Sequence, residues 1–169
     1  MKILGIDPGY ATIGFGLVES DRGDHRLLQY GVITTPADME FSRRLCMIYD
    51  DMVRLLDALQ PDVVAIEELF FGHNVTTGIG VSHGRGVILL AAAQRGLPIF
   101  EYTPMQVKQA VCGYGKAEKR QVMDMTRRLL RMKEAARPDD AADAIAIALC
   151  HGRSSTSLIS EQNLLRQRG

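Results

Sequence analysis

The sequence predicts an α/β fold, a five-stranded mixed sheet flanked by helices. Three observations carry that expectation. The first third alternates apolar and polar residues across two successive hairpin signals, the pattern of a three-strand antiparallel meander. Residues 62–67, Asp-Val-Val-Ala-Ile-Glu, are almost wholly apolar, as a strand buried on both faces and parallel to a neighbour must be. The remaining apolar residues recur at helical spacing between and after these strands, which layers helices over a sheet.

Each element has a local reason. Residues 2–7 form an apolar run closed by Asp7, and Asp7-Pro8-Gly9 is a turn, because Pro sets one φ and Gly permits a positive one. Residues 12–19 alternate, residues 20–25 make a polar tip, and residues 27–34 return as a third strand. Thr35-Pro36 ends the meander. Phe41, Leu45, Ile48, Met52, Leu55, Leu56 and Leu59 then mark one helix, which Gln60-Pro61 stops. After the strand at 62–67, residues 69–80 read as a loop and residues 81–94 as a Gly- and Ala-rich helix. Gly96-Leu97-Pro98 breaks it, and residues 99–102 are the last strand. Three helices follow, at 104–111, 116–132 and 138–151, the last opening on Pro138 at its first position.

The chain has 169 residues, 46% of them hydrophobic, which suits one domain with its own core. The expected division is a domain at 1–152 and a flexible C-terminal tail at 153–169, rich in Ser, Gln and Arg. No apolar run is long enough to span a membrane, and the first residues lack a secretory pattern, so a cytoplasmic protein is expected. Cys46, Cys112 and Cys150 are odd in number and widely spaced, which predicts buried reduced thiols rather than disulfides or a zinc site.

Net charge is zero, but its distribution is uneven. Residues 106–137 carry nine Lys and Arg against three acids, a net of +6, whereas residues 1–105 carry a net of −5. A phosphate backbone needs a local basic surface rather than a basic average. A solvated basic helix face has the same composition.

Four carboxylates stand out by position. Asp7 and Glu67 each close an apolar strand, and Asp140 and Asp143 lie in the first turns of the last helix, three apart and so on one face. If the two strands are parallel neighbours, all four converge at one sheet edge. Like charges that close need cations, and hard oxygen donors suit Mg²⁺ or Mn²⁺, with two ions per site able to clamp a phosphodiester in line. Each acid has an ordinary alternative: a turn former at Asp7, a solvated strand end at Glu67, a complement to the helix dipole at Asp140 and Asp143. Spacing also leaves two pairs open, because Asp139 and Asp143 share a helix face too, and Glu68 stands beside Glu67.

Five segments in order then settle what spacing leaves open. They are Gly5-Ile6-Asp7-Pro8-Gly9 with Gly14-Phe15-Gly16; Ala65-Ile66-Glu67 followed by Phe70; Glu101-Tyr102 through Gln106-Val107-Lys108-Gln109; residues 113–119, Gly-Tyr-Gly-Lys-Ala-Glu-Lys; and Asp140-Ala141-Ala142-Asp143-Ala144. Together they closely resemble the RuvC family of bacterial Holliday-junction resolvases, over about residues 2–151. The resemblance implies an RNase H-like fold and a structure-selective endonuclease that nicks two opposed strands of a four-way junction, leaving 5′-phosphate and 3′-hydroxyl ends. It implies that Asp7, Glu67, Asp140 and Asp143 are the metal-binding catalytic acids, with Asp139 and Glu68 outside the set. It matches Lys108 and Lys119 to residues that contact DNA phosphates, and Phe70 to an aromatic that inserts at the junction, where an unstacked base offers a face. Lys116 and Arg120, in the same basic segment, join the candidate DNA contacts. It further implies a homodimer built largely on the helix at 81–94, where Gly84, Gly86, Ala91, Ala92 and Ala93 allow close approach, and co-operation with the RuvA–RuvB branch-migration machinery. Those small residues serve equally well for packing on the chain's own sheet. His73 and His83 read as surface imidazoles, with metal or phosphate contact the alternative.

Three rival readings share parts of this pattern. An actin-like ATPase shares the opening strand, Asp and Gly-rich hairpin, but needs a second phosphate loop and a second domain. An RNase H acting on RNA–DNA hybrids shares the fold. A junction-binding protein without catalysis has no need of Asp7 or Glu67.

Overall fold

Strand alternation decides which residues meet which helices. The structure, a computed structural model, describes residues 1–69 and 75–167, the side chains of 75–77 and 155–167 excepted. Its elements are β1 (Lys2–Asp7), β2 (Thr12–Asp21), β3 (Asp24–Thr34), α1 (Phe41–Leu59), β4 (Val63–Glu67), α2 (Val75–Gln94), β5 (Ile99–Tyr102), α3 (Pro104–Cys112), α4 (Lys119–Leu129) and α5 (Asp139–Gln167). The sheet order is β3-β2-β1-β4-β5. β1–β2 and β2–β3 are antiparallel, whereas β1–β4 and β4–β5 are parallel. This is the mixed sheet that the meander and the apolar 62–67 run predict.

Side chains of successive strand residues point to opposite faces. Ile3, Val63 and Ala65 therefore join the core formed with α3, α4 and α5. Leu4, Ile6, Val64 and Ile66 join the second core, with α1 and α2. Ile3, Leu4, Ile6, Ala65 and Ile66 are all fully buried, which is why these two strands show no polar alternation. Continuing the alternation by one residue puts Asp7 and Glu67 on the α5 side.

α5 lies directly on that face because glycines make room. A Cβ on Gly5 would sit 2.0 Å from the Ala144 carbonyl oxygen, and one on Gly14 would sit 1.9 Å from that of Asp140. No real side chain tolerates such distances, so Gly5 and Gly14 set the depth of the helix on the sheet.

Helix ends follow local chemistry. The Glu40 carboxylate accepts from the backbone N–H groups of Ser42 (3.1 Å) and Arg43 (3.3 Å), and Gln60 in the left-handed region ends α1. Thr103 and Gln106 form a capping box for α3, which Gly113 closes at φ 88°. The β2–β3 hairpin turns through Arg22 and Gly23, both at positive φ, between the paired Asp21 and Asp24.

Several boundaries differ from those the sequence predicts. β2 and β3 extend into the expected polar tip at 20–25, leaving only the two turn residues. α2 begins at Val75 rather than 81, because the Gly and β-branched residues of its first turns carry little helix propensity. α4 is shorter than 116–132: Glu118 caps it with Gln121, and Arg131 at φ 53° lies beyond its end. Pro138 caps α5 instead of opening it, its carbonyl accepting from Ala141 and Ala142. The α5 backbone continues past the expected stop at 151 to Gln167. Gly152 fails as a terminator because its small size serves packing, a Cβ there lying 3.2 Å from the His25 ring. All three cysteines are free, but Cys46 is exposed, against the expectation of burial, because it lies on the outer face of α1. No helix among the described residues is long and apolar enough to cross a membrane.

Candidate active site

β1 and β4 run parallel in the register Ile3↔Val63 to Ile6↔Ile66, so Asp7 and Glu67 are the next residues on adjacent strands. Asp7 is paired across β2 with Gly14, the residue over which the first turn of α5 passes. The side chains of Asp140 and Asp143 are thereby delivered to the same edge, three residues apart on one helix.

The electrostatics record this convergence. The Asp7 carboxyl is pushed up to about 8, first by burial and then by the charges of Asp143, Glu67 and Asp140. Glu67 is raised by burial and by Asp143. Asp143 is raised chiefly by burial, although the Lys119 ammonium beside it pulls the other way. That ammonium donates to Asp143 Oδ2 at 2.8 Å and lies 3.5 Å from Asp139 Oδ2. Asp139 is further held by Arg137 at 2.8 Å. It thus faces the basic rim, and Glu68 is exposed. Asp7 has neither of these among the charges that shift it.

A cleft of about 240 Å³ opens beside these acids, lined by Glu67, Asp143, Lys108 and Lys119 and floored by Val107, Val122 and Ile147. Lys108 from α3 and Lys119 from α4 thus reach the same opening. Lys116 and Arg120 are exposed near the start of α4. Phe70 and His73 lie outside the described residues. His83 is on the surface of α2, its ring 5.5 Å edge-on to that of Phe41 and its Nδ1 2.7 Å from the Ile79 carbonyl.

Two residues escape sequence reasoning. Arg85 of α2 donates from Nε to the Glu67 carbonyl oxygen at 3.1 Å and pairs with Glu101 of β5. Arg44 is buried beneath the turn after β1, with its guanidinium 4.7 Å from the Tyr10 ring centroid and Nε on Thr35 Oγ1 at 2.9 Å. In the sequence Arg44 is the second of two adjacent arginines on an amphipathic helix and Arg85 is an arginine within a Gly- and Ala-rich one, and nothing in their spacing sets them apart.

Among the described residues, no three carboxylate, imidazole or thiol groups converge closely enough to form a ready-made cation cage. The donor chemistry nevertheless fits a divalent cation. The edge offers hard carboxylate oxygens, and burial, with the charges of Asp143, Glu67 and Asp140 after it, raises the Asp7 carboxyl, a crowding of negative charge that a cation would relieve.

Known proteins similar to this chain in sequence carry the name of one family. The model of the family described as crossover junction endodeoxyribonuclease RuvC matches residues 3–151. The protein of that name from Ruminiclostridium cellulolyticum is 51% identical over 154 residues, 91% of this chain and 93% of that protein. The one from Syntrophomonas wolfei is 53% identical over 151 residues, 89% and 88% of the two chains. Among solved structures, Thermus thermophilus RuvC superposes with a TM-score of 0.85 at 38% identity, covering 92% of this chain and 95% of that one. The same enzyme in complex with Holliday junction substrate gives 0.84 at 36% identity and the same coverage. The yeast mitochondrial resolvase Ydc2 shares the fold at a TM-score of 0.72 and 14% identity. With two-thirds of the chain and more matched at over 50% identity, and with four acids gathered where β1, β4 and α5 meet, the chain belongs to the RuvC family of crossover junction endodeoxyribonucleases.

Proposed function

We propose that the chain resolves Holliday junctions in DNA recombination and repair by paired, metal-dependent nicks in two opposed strands, with Asp7, Glu67, Asp140 and Asp143 as the catalytic acids. The observation that carries this reading is the burial of Asp7 among three further carboxylates beside a cleft with two lysines. Two divalent ions, Mg²⁺ or Mn²⁺, suit the four acids. When bound, they supply activation of the attacking water and neutralisation of the leaving 3′ oxygen. The protein's own groups do the rest. Lys108 and Lys119 bind phosphate at the cleft, Lys119 exchanging its contact with Asp143 for the substrate. Lys116 and Arg120 extend the basic track along the DNA arm. Phe70, at the start of the connection to α2, stacks on a base exposed at the crossover. Domain 1–152 carries these groups, and residues 153–169 form the tail.

A second copy completes the enzyme, because two opposed strands need two sites related by a two-fold axis. Support comes from α2. Gly84, Ala91 and Ala92 are used inside the chain, a Cβ on Gly84 falling 2.2 Å from the Gly9 carbonyl oxygen. The outward residues Ile79, His83, Gly86, Leu90 and Ala93 instead form an exposed stripe at alternating spacings of four and three. Ile79 and Leu90 are each about half exposed, and a stripe of this period suits a helix–helix seam between copies. Co-operation with RuvA–RuvB follows from the family resemblance alone, and action in the cytoplasm suits an enzyme that works on bacterial DNA.

The test is a substrate panel of four-way junction, linear duplex and RNA–DNA hybrid, each with Mg²⁺, Mn²⁺ or EDTA, resolved on a denaturing gel. Symmetric metal-dependent nicks in the junction alone are expected. Cleavage confined to the hybrid, or none from folded dimer with either metal, sinks the reading.

A further inference from the structure

Glu67 is held in an unusual way. Among the described residues no hydrogen bond reaches its carboxylate, so the position of that group depends on the main chain beneath it. The main chain there is at the end of a ladder: β4 stops at Glu67, and the last contact with β5 beyond it is Glu68 N–H to the Tyr102 carbonyl at 2.8 Å. The donor to the Glu67 carbonyl comes from outside the sheet. It is Nε of Arg85, reaching across from α2 at 3.1 Å, while Nη2 of the same guanidinium binds the Glu101 carboxylate on β5.

The Arg85 side chain is only 13% exposed. A guanidinium taken so far out of water costs free energy unless its donors are used, and its planar fork serves two acceptors at fixed relative geometry, which a lysine cannot do. One planar group thus ties the ends of β4 and β5 to a helix of the opposite core. An exposed ion pair between α2 and β5 would contribute little. The half-buried carbonyl contact is what distinguishes this one.

We infer that Arg85 is a positioning residue for Glu67: it fixes the main chain at the end of β4 and so sets where the Glu67 carboxylate stands relative to Asp7 and Asp143. The inference rests on the reading of Glu67 as a metal-holding acid. Groups that orient ligands from behind cost about 10- to 100-fold in metal affinity or activity when lost.

The experiment compares wild type, Arg85→Lys, Arg85→Met and Glu67→Gln. Three quantities are read: the junction-cleavage rate against Mn²⁺ concentration, the Mn²⁺-induced rise in Tm without DNA, and junction binding in Ca²⁺. In Arg85→Met the half-saturating Mn²⁺ concentration rises about tenfold or more and the metal-induced Tm shift moves to higher metal, with junction binding unchanged. Arg85→Lys keeps the charge but behaves like Arg85→Met, since the fork is lost. Should Arg85→Met not fold, Glu101→Gln loosens the same guanidinium from an exposed position, and a smaller shift in the same direction is expected. A lowered Tm with the Mn²⁺ midpoint unchanged would make Arg85 merely structural and overturn the inference. Normal cleavage by Glu67→Gln would instead remove the reading on which it rests.

Discussion

The carbonyl oxygen of Asp140 occupies the space that a side chain on Gly14 would need, 1.9 Å from where its β-carbon would be. Gly14 pairs with Asp7 across β2, so one glycine sets the distance between two candidate ligands on different elements. Gly14→Ala must lift the first turn of α5 or shift β2. Overpacking of this kind costs about 1–3 kcal/mol. The expected result is a folded protein with lowered Tm whose cleavage rate falls far more than its junction affinity. Wild-type cleavage by the folded variant would show that the spacing of Asp7 and Asp140 is not critical.

Asp7 makes stability and activity oppose each other. Its carboxyl is pushed up to about 8 in the folded chain from an ordinary value of 3.8, so between those values the folded chain keeps a proton that the unfolded chain has released. Stability from this group therefore falls as pH rises through that window, and the full cost is present above it. Asp7→Asn removes the titration. Metal-free Asp7→Asn is expected to melt above wild type at pH 8, with the difference closing toward pH 4, while junction cleavage is abolished and junction binding is kept. Divalent metal should raise the wild-type Tm and leave the variant's unmoved. Thermal melts across pH, with and without Mg²⁺, check each part.

The α2 stripe predicts how the copies associate. Leu90 is 51% exposed and is one of the two large apolar side chains of the stripe. Leu90→Arg places like charges against each other across a two-fold axis, so sedimentation should show monomers. The monomer should retain its own Tm and nick single strands without pairing the cuts. A dimer of unchanged strength would move the interface elsewhere.

Binding to junctions should weaken linearly in log–log terms as salt rises, by about 0.9 per phosphate neutralised. Lys108→Gln and Lys119→Gln should each reduce that slope by about 1. A slope that neither substitution changes would take the cleft lysines off the DNA.

Much of this was legible before any coordinates, for physical reasons. Strand identity in β1 and β4 follows from apolar runs that only a doubly covered parallel strand requires, and both ended in an acid. The helix around Asp140 and Asp143 is legible from Pro138 at its expected start and the Ala-rich run after it, though spacing alone leaves Asp139 an equal candidate. Only the fold shows why Asp139 differs: it turns to Arg137 and Lys119 at the rim. Gly14 and Gly16 looked like strand glycines, and their use as a seat for α5 emerges only when the helix is in place. Arg85 was invisible because its partners are a main-chain carbonyl 18 positions away and a carboxylate on another strand. The start of α2 was missed because tertiary packing overrides the weak propensity of its first turns.

The β2–β3 hairpin runs from the catalytic edge, where Gly14 faces Asp7, to the Arg22–Gly23 turn at the far end of the sheet. Seven residue steps along the strand take Gly14 to Asp21, roughly 23 Å at about 3.3 Å per residue. The turn makes no close packing contact at Gly23, where a Cβ would meet nothing within 4 Å. It is therefore a natural handle: a dye, tether or affinity tag spliced in there stands at the opposite end of the sheet from Asp7.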